Sequence, residues 1–224
     1  MKRHFLMLHA LLCCLVSCVA VAADSGKTAF VNMETVFNEY YKTVNENISF
    51  EGKRKTLIDG WSLLREEYDG TVAELKKMRA QADNELLAAD VRDTAKGKAQ
   101  LLLQRIEEKQ REMLRFRQQG MAEIEQRQQQ VMNDLIAELR EILAKYAKEN
   151  GYAMVLEVSG RTMNRMPAVL VYPPEQEITE AVVKLVNAGH EQEKRDADAR
   201  LKELRAKSAA AARAAGMAVP PGMD

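Results

Sequence analysis

Between Lys53 and Asn150 there is no proline, and glycine occurs only at Gly60, Gly70, Gly97 and Gly120. Ala, Leu, Glu, Gln, Lys and Arg dominate the rest of the stretch. These are the strongest helix formers, and so long a run without a breaker admits little besides one very long helix or two shorter ones. The periodicity favours two. Leu57, Trp61, Leu64, Tyr68, Val72, Leu75, Met78, Ala82 and Leu86 follow one another mainly in steps of three and four, as on a helix laid along a partner. The later series Ile106, Gln110, Met113, Arg117, Gly120, Ile124, Arg127, Val131 keeps the spacing but loses half its apolar residues. It recovers at Met132, Leu135, Ile136, Leu139, Ile142, Leu143 and Tyr146. Packing is therefore expected to be firm near both ends of the insertion and loose in its middle. Asp83, Asn84, Asp90 and Asp93 gather where both seams fade, and Asp and Asn favour turns and caps. This places a fold-back within Asn84–Gly97 and predicts two antiparallel arms of about forty residues, roughly 60 Å each.

The flanks read differently. Thr28 to Met33 is strand-like, and from Thr35 a helix is expected with Val36, Phe37, Tyr40 and Tyr41 on one side. A lone strand leaves its backbone groups unpaired, and no second strand-like run appears until Glu149-Asn150-Gly151 supplies a helix C-cap. Tyr152–Gly160 and Pro167–Pro174 then read as strands between turn residues. Thr28–Met33 is expected to pair with Tyr152–Ser159. Thr179 is positioned as an N-cap, with Ile178 and Val183 as a hydrophobic staple, and the short helix through Ala181, Val182, Leu185 and Val186 stops at Gly189. The fold class is α+β, mostly α: a small β-sheet body interrupted by a long antiparallel coiled-coil hairpin. The layout is residues 27–50 for the first strand and helix of the body, 51–150 for the hairpin and 151–189 for the remaining strands and helix. Residues 190–224 read as a charged, Ala-rich tail, whose first part could extend the short helix and which is expected to be disordered at least after Gly216. Three short strands make a poor core alone, so association between chains is expected.

Residues 1–23 read as a signal peptide. Lys2 and Arg3 are basic, Phe5–Val16 is apolar but too short to span a bilayer, and Val21-Ala22-Ala23 offers a small-residue cleavage site. A second exit is open, because Leu15-Val16-Ser17-Cys18 resembles a lipobox. Cleavage before Cys18 would leave a lipidated cysteine and an anchored protein. All three cysteines, and His4 and His9, lie in this segment, which leaves His190 as the sole later histidine. The rest of the chain therefore has no disulfide framework, no cysteine nucleophile and no Cys/His zinc set. Gly97-Lys98 lacks the upstream glycine of a phosphate loop. No catalytic, cofactor or metal site is expected, and no enzyme. The chain balances 33 basic against 33 acidic residues, so removing Lys2 and Arg3 leaves a net charge of −2. A nucleic-acid binder would be basic; none is expected here. Between residues 76 and 117, however, 11 Lys and Arg face 7 Asp and Glu. This excess fits attraction to an acidic ligand or an anionic membrane surface, and a solvated helix face accounts for it equally.

Taken in order, these parts resemble a family. Ala29-Phe30-Val31-Asn32-Met33 with Phe37, the Gln/Glu/Lys/Arg-rich hairpin, Val155 to Val158, and Glu177-Ile178-Thr179 followed by Val182 and Val183 are similar to the Skp/OmpH periplasmic chaperones over about Lys27 to Asn187. The resemblance implies a periplasmic homotrimer. Its strands form a body and its hairpins project around a cavity, where unfolded outer-membrane β-barrel proteins are held without nucleotide. For the trimer core, the strand region and the apolar helix bases of this chain offer Val31, Met33, Phe37, Leu139, Ile142 and Val155. For client contact, the distal hairpin offers Met78, Leu86, Leu87, Leu103, Met113, Leu114 and Phe116, with Lys76, Lys77 and Arg79 as the basic group. Heptad spacing alone would instead make the apolar members of that set arm-to-arm packing. The chain departs from the family in its near-neutral charge and in the segment after Gly189. A lipid-anchored coiled-coil spacer of the cell envelope is the alternative reading.

Overall fold

The computed structural model describes residues 26–217. The expected signal segment, Cys18 and residues 218–224 lie outside the described residues. The order is β1 (Lys27–Val31), α1 (Met33–Glu39), α2 (Tyr41–Ala82), α3 (Ala89–Glu149), β2 (Tyr152–Glu157), a 3-10 turn at Pro174–Gln176, α4 (Thr179–Val186) and α5 (Glu191–Ala214).

β1 and β2 pair in parallel, with Ala29 opposite Val155 and Phe30 opposite Leu156. Parallel neighbours need a crossover connection, and here the crossover is the entire helical hairpin. On the other side of β1, the Ile178 amide donates to the Phe30 carbonyl at 2.8 Å. The sheet among the described residues therefore has two strands, not the three expected. Pro167–Pro174 is irregular: Pro167 makes only an isolated bridge to Arg161, and Leu170 and Val171 stand exposed. Both sides of β1 are occupied, and that run does not join the sheet at the outer edge of β2.

The body core gathers Ala29, Val31, Val36, Tyr40, Phe50, Val131, Leu135, Leu139, Ile178, Val182 and Val186. Asn32 caps α1, its Oδ1 accepting from the Thr35 amide at 2.8 Å. Thr179 does not cap α4 as expected. The helix begins at Thr179 itself, behind Ile178, and the Thr179 hydroxyl instead accepts from the Asn32 amide at 2.9 Å and donates to Glu177. The start of α2 is capped from afar. Buried Asn187 accepts from the Tyr41 amide and donates to the Glu39 carbonyl, both at 2.9 Å. α2 then runs without a break past residue 51, so the body and the first arm share one helix.

Glu157 ends β2 beneath the N-terminus of α1. Its carboxylate accepts from the amides of Met33, Ser159 and Gly160 at 3.3, 2.6 and 2.7 Å, and from the Ser159 hydroxyl. Burial pushes this carboxyl up, but the hydrogen bonds from Ser159, Gly160 and Met33 together outweigh it and hold the group below its ordinary value. A depressed carboxyl contributes stability that is present above its unfolded pKa and lost as pH falls through the folded one. Glu157→Gln is therefore expected to cost about 1–2 kcal/mol at neutral pH and to flatten the acid limb of stability. Urea melts of both proteins between neutral and acid pH check this; equal midpoints at neutral pH would refute the role given to Glu157.

The fold-back occupies residues 83–88, between Ala82 and Ala89, and the arms are unequal. α2 has 42 residues and α3 has 61, the latter roughly 90 Å at 1.5 Å per residue. α3 ends as expected at Asn150, with Gly151 at φ +73°. The middle of the hairpin is closed by polar and aromatic contacts alongside its buried apolar residues Leu57, Met113 and Ile124. Gln110 donates to the Tyr68 hydroxyl at 3.0 Å, Lys109 pairs with Glu67, and the Arg117 guanidinium lies 5.5 Å from the Trp61 ring centre. Gly60 and Gly120 allow close approach: a Cβ at Gly60 would meet the Phe116 ring at 2.6 Å, and one at Gly120 would meet Leu57 Cδ1 at 2.4 Å. The polar positions on α3 thus face aromatic or small partners on α2, which the single-helix pattern conceals.

The segment after Gly189 forms a helix of its own and does not extend α4. Gly189, at φ +81°, turns the chain, and α5 lies along α2. Ala197, Leu201, Ser208, Ala212 and Ala215 are buried, at heptad-like intervals. Alanine and serine side chains let the two helices approach closely, so a composition that reads as a weak tail serves as a packing face.

Candidate functional site

The described residues hold no group of three or more His, Cys, Asp or Glu able to bind a metal ion, and no helix among them is long and apolar enough to cross a membrane. What the hairpin offers is a surface. Leu103, Leu114, Met121, Met132 and Ile136 are all exposed apolar residues of α3. Each follows a residue of the seam: Leu102, Met113, Gly120, Val131 and Leu135. One position further along a helix is a turn of about 100°, so all five lie on the same flank of the seam. Together they make a ribbon about 50 Å long at 1.5 Å per residue. Gln110, Gln118, Gln128 and Gln129 lie between them in the sequence.

Three open depressions follow that flank from the body outward. The first, about 500 Å³, is lined by Val31, Met33, Phe37 and Val155 of the body and by Ile136 and Leu143 of α3, with Glu34, Arg140 and Glu157 also in its wall. The second, about 330 Å³, lies between Thr43, Phe50, Val131, Met132 and Leu135, with Gln128 and Gln129. The Thr43 hydroxyl beside it is buried without a hydrogen-bond partner. The third, about 310 Å³, is formed by Trp61, Arg65, Tyr68, Gln110, Met113 and Leu114. Away from the residues that line these depressions, Lys42 binds Glu138 at 2.5 Å and Tyr40 donates to the same carboxylate at 3.0 Å. The hydrogen bond from Lys42 is the main reason that the Glu138 carboxyl is lowered. Both members of this ion pair are more than a third exposed, so it adds little stability and serves mainly to fix the foot of α2 against α3.

The residues singled out from sequence divide by position. Leu103 and Leu114 are on the ribbon. Leu86 is 95% exposed in the turn, with Leu87 half-buried beside it. Met113 is buried in the seam, Met78 packs on the Leu75 cluster, and Phe116 lies against Gly60. Those three fasten arm to arm, and Met113 also forms part of the wall of the third depression. Lys76, Lys77 and Arg79 are exposed near the distal end of α2. Of the six assembly positions, Val31 and Leu139 are already buried within one chain, whereas Met33, Phe37, Ile142 and Val155 are half-buried around the core. Sequence reading missed Leu63 and Leu101, 64% and 68% exposed, and Met121. It counted Met132 and Ile136 as seam. The signal that finds them is the apolar doublet: where two apolar residues adjoin on a two-helix hairpin, only one of them can face the partner arm.

A family profile described as outer membrane protein (OmpH-like) matches residues 27–186. A comparison with curated proteins gives no match.

Proposed function

The chain belongs to the OmpH-like family, and from that premise we propose that it is an ATP-independent holdase, keeping unfolded outer-membrane β-barrel proteins soluble in a cavity between helical hairpins. The family is one of periplasmic chaperones that bind outer-membrane proteins, not of enzymes. The observation that carries the finer reading is the ribbon with its three depressions. A holdase needs many weak contacts, so that avidity retains the client while each contact can still let go. Partly exposed Leu and Met side chains, spaced by glutamines and charges, suit that need, because Met adapts to varied partners. Leu86 at the tip adds an apolar contact. Lys76, Lys77 and Arg79 would draw acidic clients, or an anionic membrane surface, toward the hairpin.

The cavity requires more than one chain, and a homotrimer is part of the proposal. A two-stranded sheet is marginal alone, β2 keeps one edge unpaired among the described residues, and the strand-like run Ala168–Val171 is tied back only at Ala168, whose amide donates to the Gly160 carbonyl. A second copy can supply what each lacks, while Met33, Phe37 and Val155 line the apolar depression beside that edge. An acylated Cys18 would anchor the assembly to a membrane; cleavage after Ala23 would leave it free in the periplasm.

The test is direct. An outer-membrane β-barrel protein, unfolded in urea, is diluted into buffer with and without the chain, in the absence of nucleotide, and its light scattering followed. Suppression at near-stoichiometric trimer is expected, with capture slower at high salt as the distal charges are screened. Aggregation at the same rate with and without the chain would refute the holdase and favour the spacer reading.

A further inference from the structure

The family match ends at Val186, and α5 begins five residues later. We propose that α5 is a brace: it welds the stretch of α2 from Tyr41 to Arg65 to the body and confines bending of the hairpin to the two-helix part beyond Arg65.

The brace is fixed at its foot. The His190 ring stacks on Tyr41 at 3.9 Å between centres, Lys194 pairs with Glu39 at 2.8 Å, and Asn45 donates to Glu193 at 2.8 Å. Two apolar clips follow as α5 runs parallel to α2. Val44 and Ile48 pack with Ala197 and Leu201. Ile58 and Trp61 pack with Ala211, Ala212 and Ala215. At the top, the Trp61 indole donates to the Ala215 carbonyl at 3.3 Å. Gly216, at φ +66°, lies against Arg65 so closely that a Cβ would come within 2.9 Å of the guanidinium.

Between the clips the interface is polar. Glu51 and Ser208 are each 1% exposed. One Glu51 oxygen accepts from Arg54 at 2.7 Å, while the other, like the Ser208 hydroxyl, has no hydrogen-bond partner. Buried polar atoms without partners cost stability, so the apolar clips above and below must hold this middle closed. That division makes the docking depend on both clips, and charge placed in either should release the helix. While α5 is docked, α2 below Arg65 belongs to a three-helix column rooted in the body, and tilting it requires both clips to slip. Above Arg65 only α3 supports it. The mechanical claim stands independently of the chaperone reading; that the cavity keeps a fixed base and a movable mouth rests on it.

Hydrogen exchange on the full chain tests the brace. Amides of residues 41–65 should exchange about tenfold or more slowly than those of residues 66–82, and α5 should be protected along its length. Leu201→Asp with Ala212→Asp should free α5 and erase the difference. In that same variant, the distance distribution between spin labels at Lys184 and Gln104 should broaden. Equal exchange of the two stretches in the wild type overturns the proposal, as does a freed α5 with an unchanged label distribution. Should the double variant not fold, Ile58→Cys with Ala212→Cys decides, since all the natural cysteines precede residue 26. Oxidising the pair should leave exchange over 41–65 unchanged, because the helix is already docked; slowing on oxidation would show that α5 is loose and overturn the brace.

Discussion

A chain in which Leu103, Leu114, Met121 and Met132 are all glutamine is expected to fold normally and to lose nearly all ability to keep an unfolded β-barrel protein soluble. The four side chains are 38, 46, 42 and 37% exposed, so removing them opens no cavity, and glutamine matches leucine and methionine in helix propensity. If each contributes about 1 kcal/mol to client contact by shedding part of its apolar surface, four together are worth about 4 kcal/mol, or roughly a thousandfold in affinity. One alone is worth only about fivefold by the same arithmetic, so Leu114→Gln should weaken holding only modestly. Met113→Gln provides the contrast. It places a polar group in the seam, so its main effect should be on the melting of the hairpin. Helicity by circular dichroism and client scattering separate the two outcomes. A quadruple variant that is folded and still holds its client would remove the ribbon from the mechanism.

The distal charges act on a different step. Lys76, Lys77 and Arg79 are exposed, and a field between exposed charges speeds encounter more than it prolongs residence. The ribbon should therefore govern how long a client stays, and the basic group how quickly it arrives.

The hairpin was legible because its cause is local. The absence of proline, the heptad steps and the Asp/Asn cluster each depend on near neighbours, and the turn lies where the two seams fade. The pairing of β1 with β2 was also readable, since an unpaired strand demands a partner and Tyr152–Glu157 was the nearest strand-like run. Features that depend on distant residues were hidden. Gln110 and Arg117 read as gaps until Tyr68 and Trp61 are seen across from them. Thr179 has the sequence of a cap, but the Asn32 amide, 147 residues away, claims its hydroxyl. Nothing near Tyr41 announces that Asn187 caps its helix. The alanines of α5 carry almost no signal by themselves, because small side chains become a packing face only when Val44, Ile48, Ile58 and Trp61 are brought against them. The ribbon is only partly visible: Leu103 and Leu114 stand out as client contacts, Met132 and Ile136 read as seam, and Met121 gives no signal.

Substituting Leu170→Asp together with Val171→Asp should convert a three-chain assembly into single chains without unfolding them. In one chain these side chains are 71 and 87% exposed, so the charges meet water and the fold of the monomer is untouched. In the proposed trimer the run Ala168–Val171 pairs with a neighbour's free edge, and two carboxylates would enter each seam. A stable interface must cover on the order of 1,000 Å² or more, and unpaired charge at its centre is strongly unfavourable. Cyclic symmetry repeats that penalty at all three seams, so the change in assembly should be all-or-none over the micromolar range. Leu139→Ala is the opposite case: Leu139 is 1% exposed within its own chain, so its truncation should cost about 2–5 kcal/mol of stability whatever the number of copies. Light scattering with in-line size exclusion reads the mass, and circular dichroism reads the fold. A wild-type mass of one chain would remove the trimer altogether. A Leu170→Asp/Val171→Asp variant that keeps the mass of three would place the contact elsewhere, with Met33, Phe37 and Val155 around the body depression as the next positions to carry it.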